Sequence, residues 1–85
     1  MIKSLAHPDY LALTSWLKTI RKQKGLTLRD VAERIDEPFQ TVSKIEKAQR
    51  NLTILEYVEY CKAIEVDPAI GLDLIVKLSS KARYR

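Results

Sequence analysis

The sequence predicts an all-α fold, because helix signals recur along the chain and strand signals do not. Helix-start and helix-stop residues follow one another with short spacers over the 85 residues. No stretch alternates between apolar and polar residues with the period of two that a half-buried strand requires. A chain of this length buries only about 60–65% of its unfolded surface and has no room for two domains. We therefore expect one domain over residues 1–78 and a flexible basic tail over residues 79–85.

The first two helices have recognisable boundaries. Asp9 can cap a first helix that runs from Tyr10 to Lys24, and Gly25 can end it by adopting a left-handed backbone. Thr27 and Asp30 have the spacing of a capping box, which predicts a second helix that ends near residue 35. The residues expected to face the core are Leu13, Leu17 and Ile20 in the first helix and Val31, Ala32 and Ile35 in the second.

Three more helices follow a break at Asp36-Glu37-Pro38. The third is expected from Phe39 to Lys47, and Thr53 can cap a fourth from Ile54 to Ile64. Asp67-Pro68 predicts the start of a fifth, since a carboxylate cap is followed by proline at the first helical position. The expected core residues are Val42 and Ile45 in the third helix and Ile54, Tyr57, Val58, Cys61 and Ile64 in the fourth.

Charge is distributed unevenly along the chain. The net charge is +4 over residues 1–50, −4 over residues 51–76 and +4 over residues 77–85. Basic ends around an acidic segment suit a protein that turns one side towards a polyanion. Solvated faces that happen to differ in charge are the alternative reading. The basic tail, in the same way, can either lie along phosphates or serve as a soluble end.

The composition argues against several functional classes. The single Cys61 cannot form an internal disulfide, and one histidine with one cysteine cannot supply the usual four zinc ligands. Two glycines are too few for a Gly-rich phosphate loop. No apolar run approaches the roughly 20 residues of a membrane span. We expect a cytoplasmic protein that is not an enzyme and that needs no metal, cofactor, small-molecule ligand or membrane.

The second and third helices, with the break between them, carry the strongest functional signal. Two helices of this length joined by so tight a turn pack at a steep angle, and Ala32 supplies the small residue that the crossing requires. Spacings of i, i+3, i+4 and i+7 place four polar side chains of the third helix on one stripe: Gln40, Ser43, Lys44 and Lys47. Such side chains can contact base edges or phosphates in a major groove. A solvated amphipathic helix would give the same stripe.

From Leu13 to Leu74 the chain resembles the phage-repressor/Cro-like (XRE) helix-turn-helix domain. The segments that carry the resemblance are Ile20–Thr27, Asp30–Ile35, Thr41–Lys47, Arg50-Asn51 and Lys62–Asp67. The resemblance implies a five-helix repressor-like DNA-binding domain whose helix-turn-helix is formed by the second and third helices. It also implies double-stranded DNA as the partner.

The resemblance further implies roles for individual residues. Arg21 and Glu46 would form an ion pair that fixes the third helix in register. Base contacts would come from Phe39, Gln40, Ser43 and Lys44. Phosphate contacts would come from the backbone at the start of the second helix, at Thr27 and Leu28, and from Arg29, Lys47, Arg50 and Asn51.

Four positions depart from the family pattern. Leu28 and Phe39 stand where members often have polar residues that support each other. Phe39 could contact a thymine methyl group, or it could pack on Leu28 and read nothing. Asp36 and Ala48 stand where glycine is usual, and of the two Asp36 tolerates a left-handed backbone better.

The fifth helix is too apolar for a helix that covers a core with one stripe. Seven of the residues from Pro68 to Leu78 are apolar, and Ile70 and Leu74 are expected to close the core. We expect a homodimer through the remaining residues, Leu72, Ile75, Val76 and Leu78, with Trp16 as a contributor. The alternative is that Tyr10, Leu11 and Trp16 cover this surface within one chain.

The sequence therefore favours a sequence-specific transcriptional regulator, and a repressor in particular, that reads the major groove with residues 39–47. An alternative is an antitoxin-like interaction module that binds a protein partner through the fifth helix. A domain that keeps the fold but has lost base reading is a third possibility, because of Leu28 and Phe39.

Overall fold

The computed structural model describes the backbone of residues 7–83 and the side chains of residues 7–78. Over these residues it contains five α-helices and no strand, so the predicted all-α class is confirmed. No helix among them is both long enough and apolar enough to span a bilayer. The helices are α1 (Pro8–Gln23), α2 (Leu28–Ile35), α3 (Phe39–Glu46), α4 (Ile54–Ala63) and α5 (Pro68–Arg83).

Two capping boxes fix the starts of α2 and α4. The hydroxyl of Thr27 accepts a hydrogen bond from the N–H of Asp30 at 3.1 Å, and the Asp30 carboxylate accepts from the N–H of Thr27 at 2.8 Å. Thr53 and Glu56 exchange the same two bonds at 3.1 and 2.9 Å. Each box satisfies two N–H groups that have no partner within the helix, so the chain enters both helices at a defined residue.

The start of α1 differs from the prediction. His7 caps this helix instead of Asp9: its Nδ1 accepts a hydrogen bond from the N–H of Asp9 at 3.1 Å. Pro8 occupies the first turn, where its missing N–H costs nothing. Asp9 then lies inside the helix, with its carboxylate near the positive end of the helix dipole.

Left-handed residues end the helices. Gly25 (φ +73°) follows α1 and Asp36 (φ +58°) follows α2, as predicted. Ala48 (φ +57°) and Glu65 (φ +60°) adopt the same conformation after α3 and α4. The clash of a Cβ atom with the neighbouring carbonyl makes this backbone unfavourable for a residue other than glycine by about 1–2 kcal/mol.

The core lies where α1 to α4 meet. Its fully buried side chains are Leu17, Val31, Val42, Tyr60, Cys61 and Ile64. The prediction that Ile54 belongs to this core is wrong, because its side chain is 80% exposed. Ile54 is the first residue of α4, and the inward stripe of this helix runs instead through Tyr57, Tyr60, Cys61 and Ile64 at i, i+3, i+4 and i+7.

Gly71 brings α5 close to α1. A Cβ atom at this position would lie 2.7 Å from Trp16 Cζ3 and 3.0 Å from Leu13 Cδ1, so only glycine fits without rearrangement. Trp16 therefore packs against α5 within the chain. This agrees with the alternative expectation, in which Trp16 covers the apolar surface of the fifth helix, and not with a contribution of Trp16 to a dimer.

Ile75 rather than Ile70 completes the core on this side. Ile75 packs against the core cluster, Leu74 is half-buried, and Ile70 is 52% exposed. The predictions that Ile70 closes the core and that Ile75 is free for an interface are both wrong, because the Gly71 contact sets the rotation of α5.

The fifth helix is longer than predicted. Its backbone continues through residues 79–83, so the boundary expected before the tail falls inside α5. The side chains of residues 79–83 and all of residues 84 and 85 lie outside the described residues, and the flexibility of the tail stays a prediction.

Candidate nucleic-acid interface

The outer face of α3 carries the polar stripe that the sequence predicts. Gln40, Lys44 and Lys47 are exposed and Ser43 is half-buried. The opposite face is anchored by Val42 and Ile45, whose side chains are buried in the core. The helix thus presents amide, hydroxyl and ammonium groups on a fixed support.

A buried network fixes the C-terminal end of α3. Arg21 donates to both carboxylate oxygens of Glu46, from Nε at 2.6 Å and from Nη2 at 3.0 Å, and from Nη1 to the carbonyl of Leu26 at 2.7 Å. The hydroxyl of Tyr60 donates to Glu46 as well. The hydrogen bond to Glu46 raises the pKa of Arg21, and burial raises the pKa of Tyr60. The structure contains the ion pair that the family resemblance implies, and α4 takes part in it.

Tyr10 fixes the loop that follows α3. Its hydroxyl donates to the carbonyl of Arg50 and accepts a hydrogen bond from the N–H of Leu52 at 3.2 Å. Burial raises the pKa of this hydroxyl. One side chain of α1 therefore holds two backbone groups of the loop that carries the phosphate-contact candidates Arg50 and Asn51.

The side chain of Arg50 is already engaged within the protein. Its Nη2 donates to Glu56 Oε2, while the other oxygen of Glu56 takes part in the capping box with Thr53. The hydrogen bond from the N–H of Thr53 lowers the pKa of Glu56, and the guanidinium of Arg50 lowers it further. A phosphate bound at Arg50 must share the guanidinium with this carboxylate or replace it.

The start of α2 offers fewer free groups than its sequence suggests. The N–H of Thr27 is used in the capping box with Asp30, whereas the hydroxyl of Thr27 accepts a hydrogen bond there and keeps its own O–H as a donor. These bonds lower the pKa of the Asp30 carboxylate. Leu28 is half-buried and packs against the core, so a phosphate contact at this end of α2 would come from backbone N–H groups of the first turn, as the family resemblance implies, or from the O–H of Thr27.

The ring of Phe39, at the start of α3, contacts the side chain of Arg29 in α2. The guanidinium carbon of Arg29 lies 4.4 Å from the centroid of the Phe39 ring, within the range of a cation–π contact. Phe39 and Leu28 each pack against the core cluster. The aromatic ring at the start of α3 is thus covered on one face by a positive charge.

Sequence reasoning missed the roles of Tyr10 and Tyr60. Tyr60 could have been found from the apolar stripe of α4, since it lies four residues before the buried Ile64. The contacts of Tyr10 span 40 and 42 residues and leave no local signal.

Comparison with known proteins agrees with this geometry. Residues 17–71 match the model of a helix-turn-helix family. A solved XRE-family-like protein from Pseudomonas syringae pv. tomato superposes with a TM-score of 0.78 and 32% identity, over 84% of this chain and 87% of that chain. The wild-type restriction-modification controller protein C.Esp1396I gives a TM-score of 0.69 and 32% identity, over 85% and 95% of the two chains.

A third structure extends the likeness at the level of the fold. The clp gene regulator ClgR from Corynebacterium glutamicum has a TM-score of 0.74 at 22% identity, over 93% of this chain and 99% of that chain. Among curated protein sequences, none matches this chain.

Proposed function

This chain belongs to the XRE-type helix-turn-helix family of DNA-binding regulators, and we propose that it is a sequence-specific transcriptional repressor that reads the major groove with α3. Gln40 and Lys44 read base edges in this proposal, with Ser43 beside them. Lys47, Arg50, Asn51 and the start of α2 contact phosphates. In this proposal the protein represses by occupying a promoter.

One observation carries the proposal: the polar stripe of α3 lies outward over two buried residues, Val42 and Ile45. A helix used for reading DNA must present its side chains in a fixed register, since base pairs are told apart by donor and acceptor positions. The bonds from Arg21 and Tyr60 to Glu46 supply that register from the other end of the helix.

The loop after α3 supports the same assignment. Lys47, Arg50 and Asn51 are exposed, and the hydroxyl of Tyr10 fixes the backbone between them and α4. Most hydrogen bonds from proteins to DNA go to the phosphates and sugars, and these contacts set the position of the protein on the duplex. A rigid loop of this kind suits that task.

We also propose that the protein acts as a homodimer through α5. Three apolar side chains of the interface expected from the sequence are exposed in the single chain: Leu72 at 52%, Val76 at 57% and Leu78 at 39%. A two-fold dimer would present two copies of α3 about 34 Å apart, one turn of DNA, and would read a pseudo-palindrome. A light-scattering mass equal to one chain at micromolar concentration would contradict the dimer.

Two alanine variants test the assignment of α3. Lys44→Ala is expected to cost about 1–3 kcal/mol on the preferred site and to relax the preference at one base position. Arg50→Ala is expected to weaken binding to all sequences alike and to reduce the salt dependence by about one phosphate contact. A loss in Lys44→Ala that is as sequence-independent as the loss in Arg50→Ala would remove Lys44 from base reading.

The exposed apolar residues of α5 favour a second candidate function. They could hold a different protein, as in an antitoxin that binds its toxin and also represses their common promoter. A toxin-like reading frame beside the gene, and a one-to-one complex of its product with this chain, would support this function. Loss of that complex in a Leu72→Glu variant would locate the contact on α5.

A further inference from the structure

Arg29 and Phe39 form a pair that joins the two helices of the helix-turn-helix. Arg29 is the second residue of α2 and Phe39 is the first residue of α3. The guanidinium carbon lies 4.4 Å from the ring centroid, and Phe39 is itself packed against the core. The ring is therefore a fixed platform, and the arginine that lies on it is held at the N-terminal end of α3.

We propose that Phe39 is a positioning residue and that Arg29, stacked on it, reads a guanine of the operator. This inference rests on the proposed function and deepens it, because it names a base and the residue that recognises it. It also gives Phe39 a role different from the base contact that its position in the family pattern implies. It moves Arg29 from the phosphate contacts to the base contacts.

The geometry of the stack leaves the arginine able to recognise a base. A cation–π contact uses the flat face of the guanidinium, whereas its N–H donors lie in its plane and point outwards. Two parallel N–H groups match the O6 and N7 acceptors of guanine in the major groove, which is the commonest specific contact of arginine with DNA. A guanidinium that lies parallel to the ring keeps this fork available at its edge.

The position of the stack favours a base over a phosphate. In helix-turn-helix complexes the N-terminal residues of the second helix contact base edges, while the first helix crosses the backbone. Arg29 belongs to the first of the two helices, but its guanidinium lies over the first residue of the second. The contact with Phe39 thus places the guanidinium of an α2 residue at the N-terminal end of α3. In such complexes this is the end that enters the groove, whereas α2 crosses the DNA backbone.

Preorganisation gives the pair its effect on affinity. A free arginine side chain has about 2 kcal/mol of rotamer entropy, part of which is lost when it binds. Arg29 has already lost freedom by lying on Phe39, so less remains to be lost on contact with DNA. Substitution of the ring is therefore expected to weaken the same base preference as substitution of the arginine.

The experiment is enrichment of binding sites from a random duplex pool by the full chain and its variants. Arg29→Ala removes the cation, Arg29→Lys keeps the charge without the fork, and Phe39→Leu keeps an apolar residue without the aromatic face. Arg29 is exposed, so its two variants should fold, and circular dichroism checks all three. Affinities for the enriched site and for its single-base variants are then measured at two salt concentrations.

For the unmodified protein, we expect the enriched duplexes to have a guanine at one position of each half-site. Arg29→Ala should lose that preference alone, with a drop of roughly 5- to 150-fold on the enriched site. Arg29→Lys should lose most of the preference for guanine while keeping the salt dependence. Phe39→Leu should weaken the preference for guanine at the same position.

Three results would overturn the inference. If Arg29→Ala weakens all duplexes alike and Arg29→Lys restores binding, Arg29 is a phosphate contact. If Phe39→Leu changes the preference at a different position, the ring itself contacts DNA. If the unmodified protein enriches no site and binds no duplex, the proposed function fails together with this inference, whereas the first two results leave that function intact.

Discussion

The hydroxyl of Tyr60 donates a hydrogen bond to the carboxylate of Glu46 and so ties α4 to the end of α3. Glu46 also receives two hydrogen bonds from Arg21 of α1. A buried carboxylate is stable only when its charge and its lone pairs are matched. Arg21 of α1 and Tyr60 of α4 therefore both bind one side chain of α3, and the orientation of α3 depends on these two helices.

Removal of the Tyr60 hydroxyl should destabilise the fold. Tyr60→Phe deletes a hydrogen bond to a charged group without opening a cavity, so we expect a loss of about 1.5–3 kcal/mol in the free energy of unfolding. Tyr57→Phe is the matched control, because the hydroxyl of Tyr57 donates to the neutral carbonyl of Pro68. The control should lose about 0.5–1.5 kcal/mol. Urea unfolding measures both values, and equal losses would mean that Glu46 does not depend on Tyr60.

Features set by a few neighbouring residues could be predicted from the sequence. The capping box of Thr27 and Asp30 lies within four residues, and so does the left-handed turn at Asp36. Buried residues of α1 to α3 followed from helical periodicity, as for Leu17 and Val42. The outward stripe of α3 was predictable for the same reason.

Features that depend on helix rotation or on distant contacts could not be predicted. Tyr10 reaches Arg50 across 40 residues, and no local pattern records this. The rotation of α5 depends on the fit of Gly71 against Trp16, which decides that Ile75 lies inward. Periodicity gives the existence of an apolar stripe, whereas which apolar residues of α4 face inward depends on how this helix is rotated against its neighbours.

The hydroxyl of Tyr10 should matter for DNA binding. Tyr10→Phe removes two bonds that fix the loop before α4, so the loop must be ordered when it binds phosphates. We expect affinity to fall about 2- to 10-fold, equally for all sequences, because phosphate contacts carry no sequence information. Fluorescence anisotropy on specific and scrambled duplexes measures the change. Tyr57→Phe should leave the affinity unchanged, and a loss confined to the specific duplex would contradict this role.

Stability in acid should depend on Glu56. The N–H of Thr53 lowers the pKa of this carboxyl from its ordinary value of 4.5. Its contribution is therefore present above that value and is lost as the pH falls through the folded pKa. Glu56→Gln keeps the size of the side chain but not its charge, so it should lose about 0.3–1 kcal/mol at pH 7 and less near pH 3.

Urea unfolding at these two pH values checks the prediction for Glu56. Glu59→Gln, a change at an exposed residue in the middle of α4, is the control and should show a smaller difference between the two values. A deficit in Glu56→Gln that persists undiminished in acid would mean that the charge of Glu56 does not stabilise α4.

The left-handed backbone of Ala48 should make glycine favourable there. Ala48→Gly relieves the Cβ clash at φ +57°, which outweighs the greater freedom of glycine in the unfolded chain. We expect a gain of about 0.5–1 kcal/mol in the free energy of unfolding. Ala32→Gly is the control, since Ala32 is similarly buried but lies in the middle of α2, and it should lose about 1 kcal/mol. Destabilisation of both variants would show that the methyl group of Ala48 matters more than its backbone.

The most direct test of sequence-specific DNA binding is a fluorescence-anisotropy titration at two salt concentrations. It compares the duplex immediately upstream of this protein's own gene with a scrambled duplex of the same composition. We predict tight binding to the upstream duplex alone, and we predict that this binding persists at the higher salt, because base contacts add to phosphate contacts that salt weakens. Absence of binding to either duplex at low salt would contradict the account and would favour a protein partner instead.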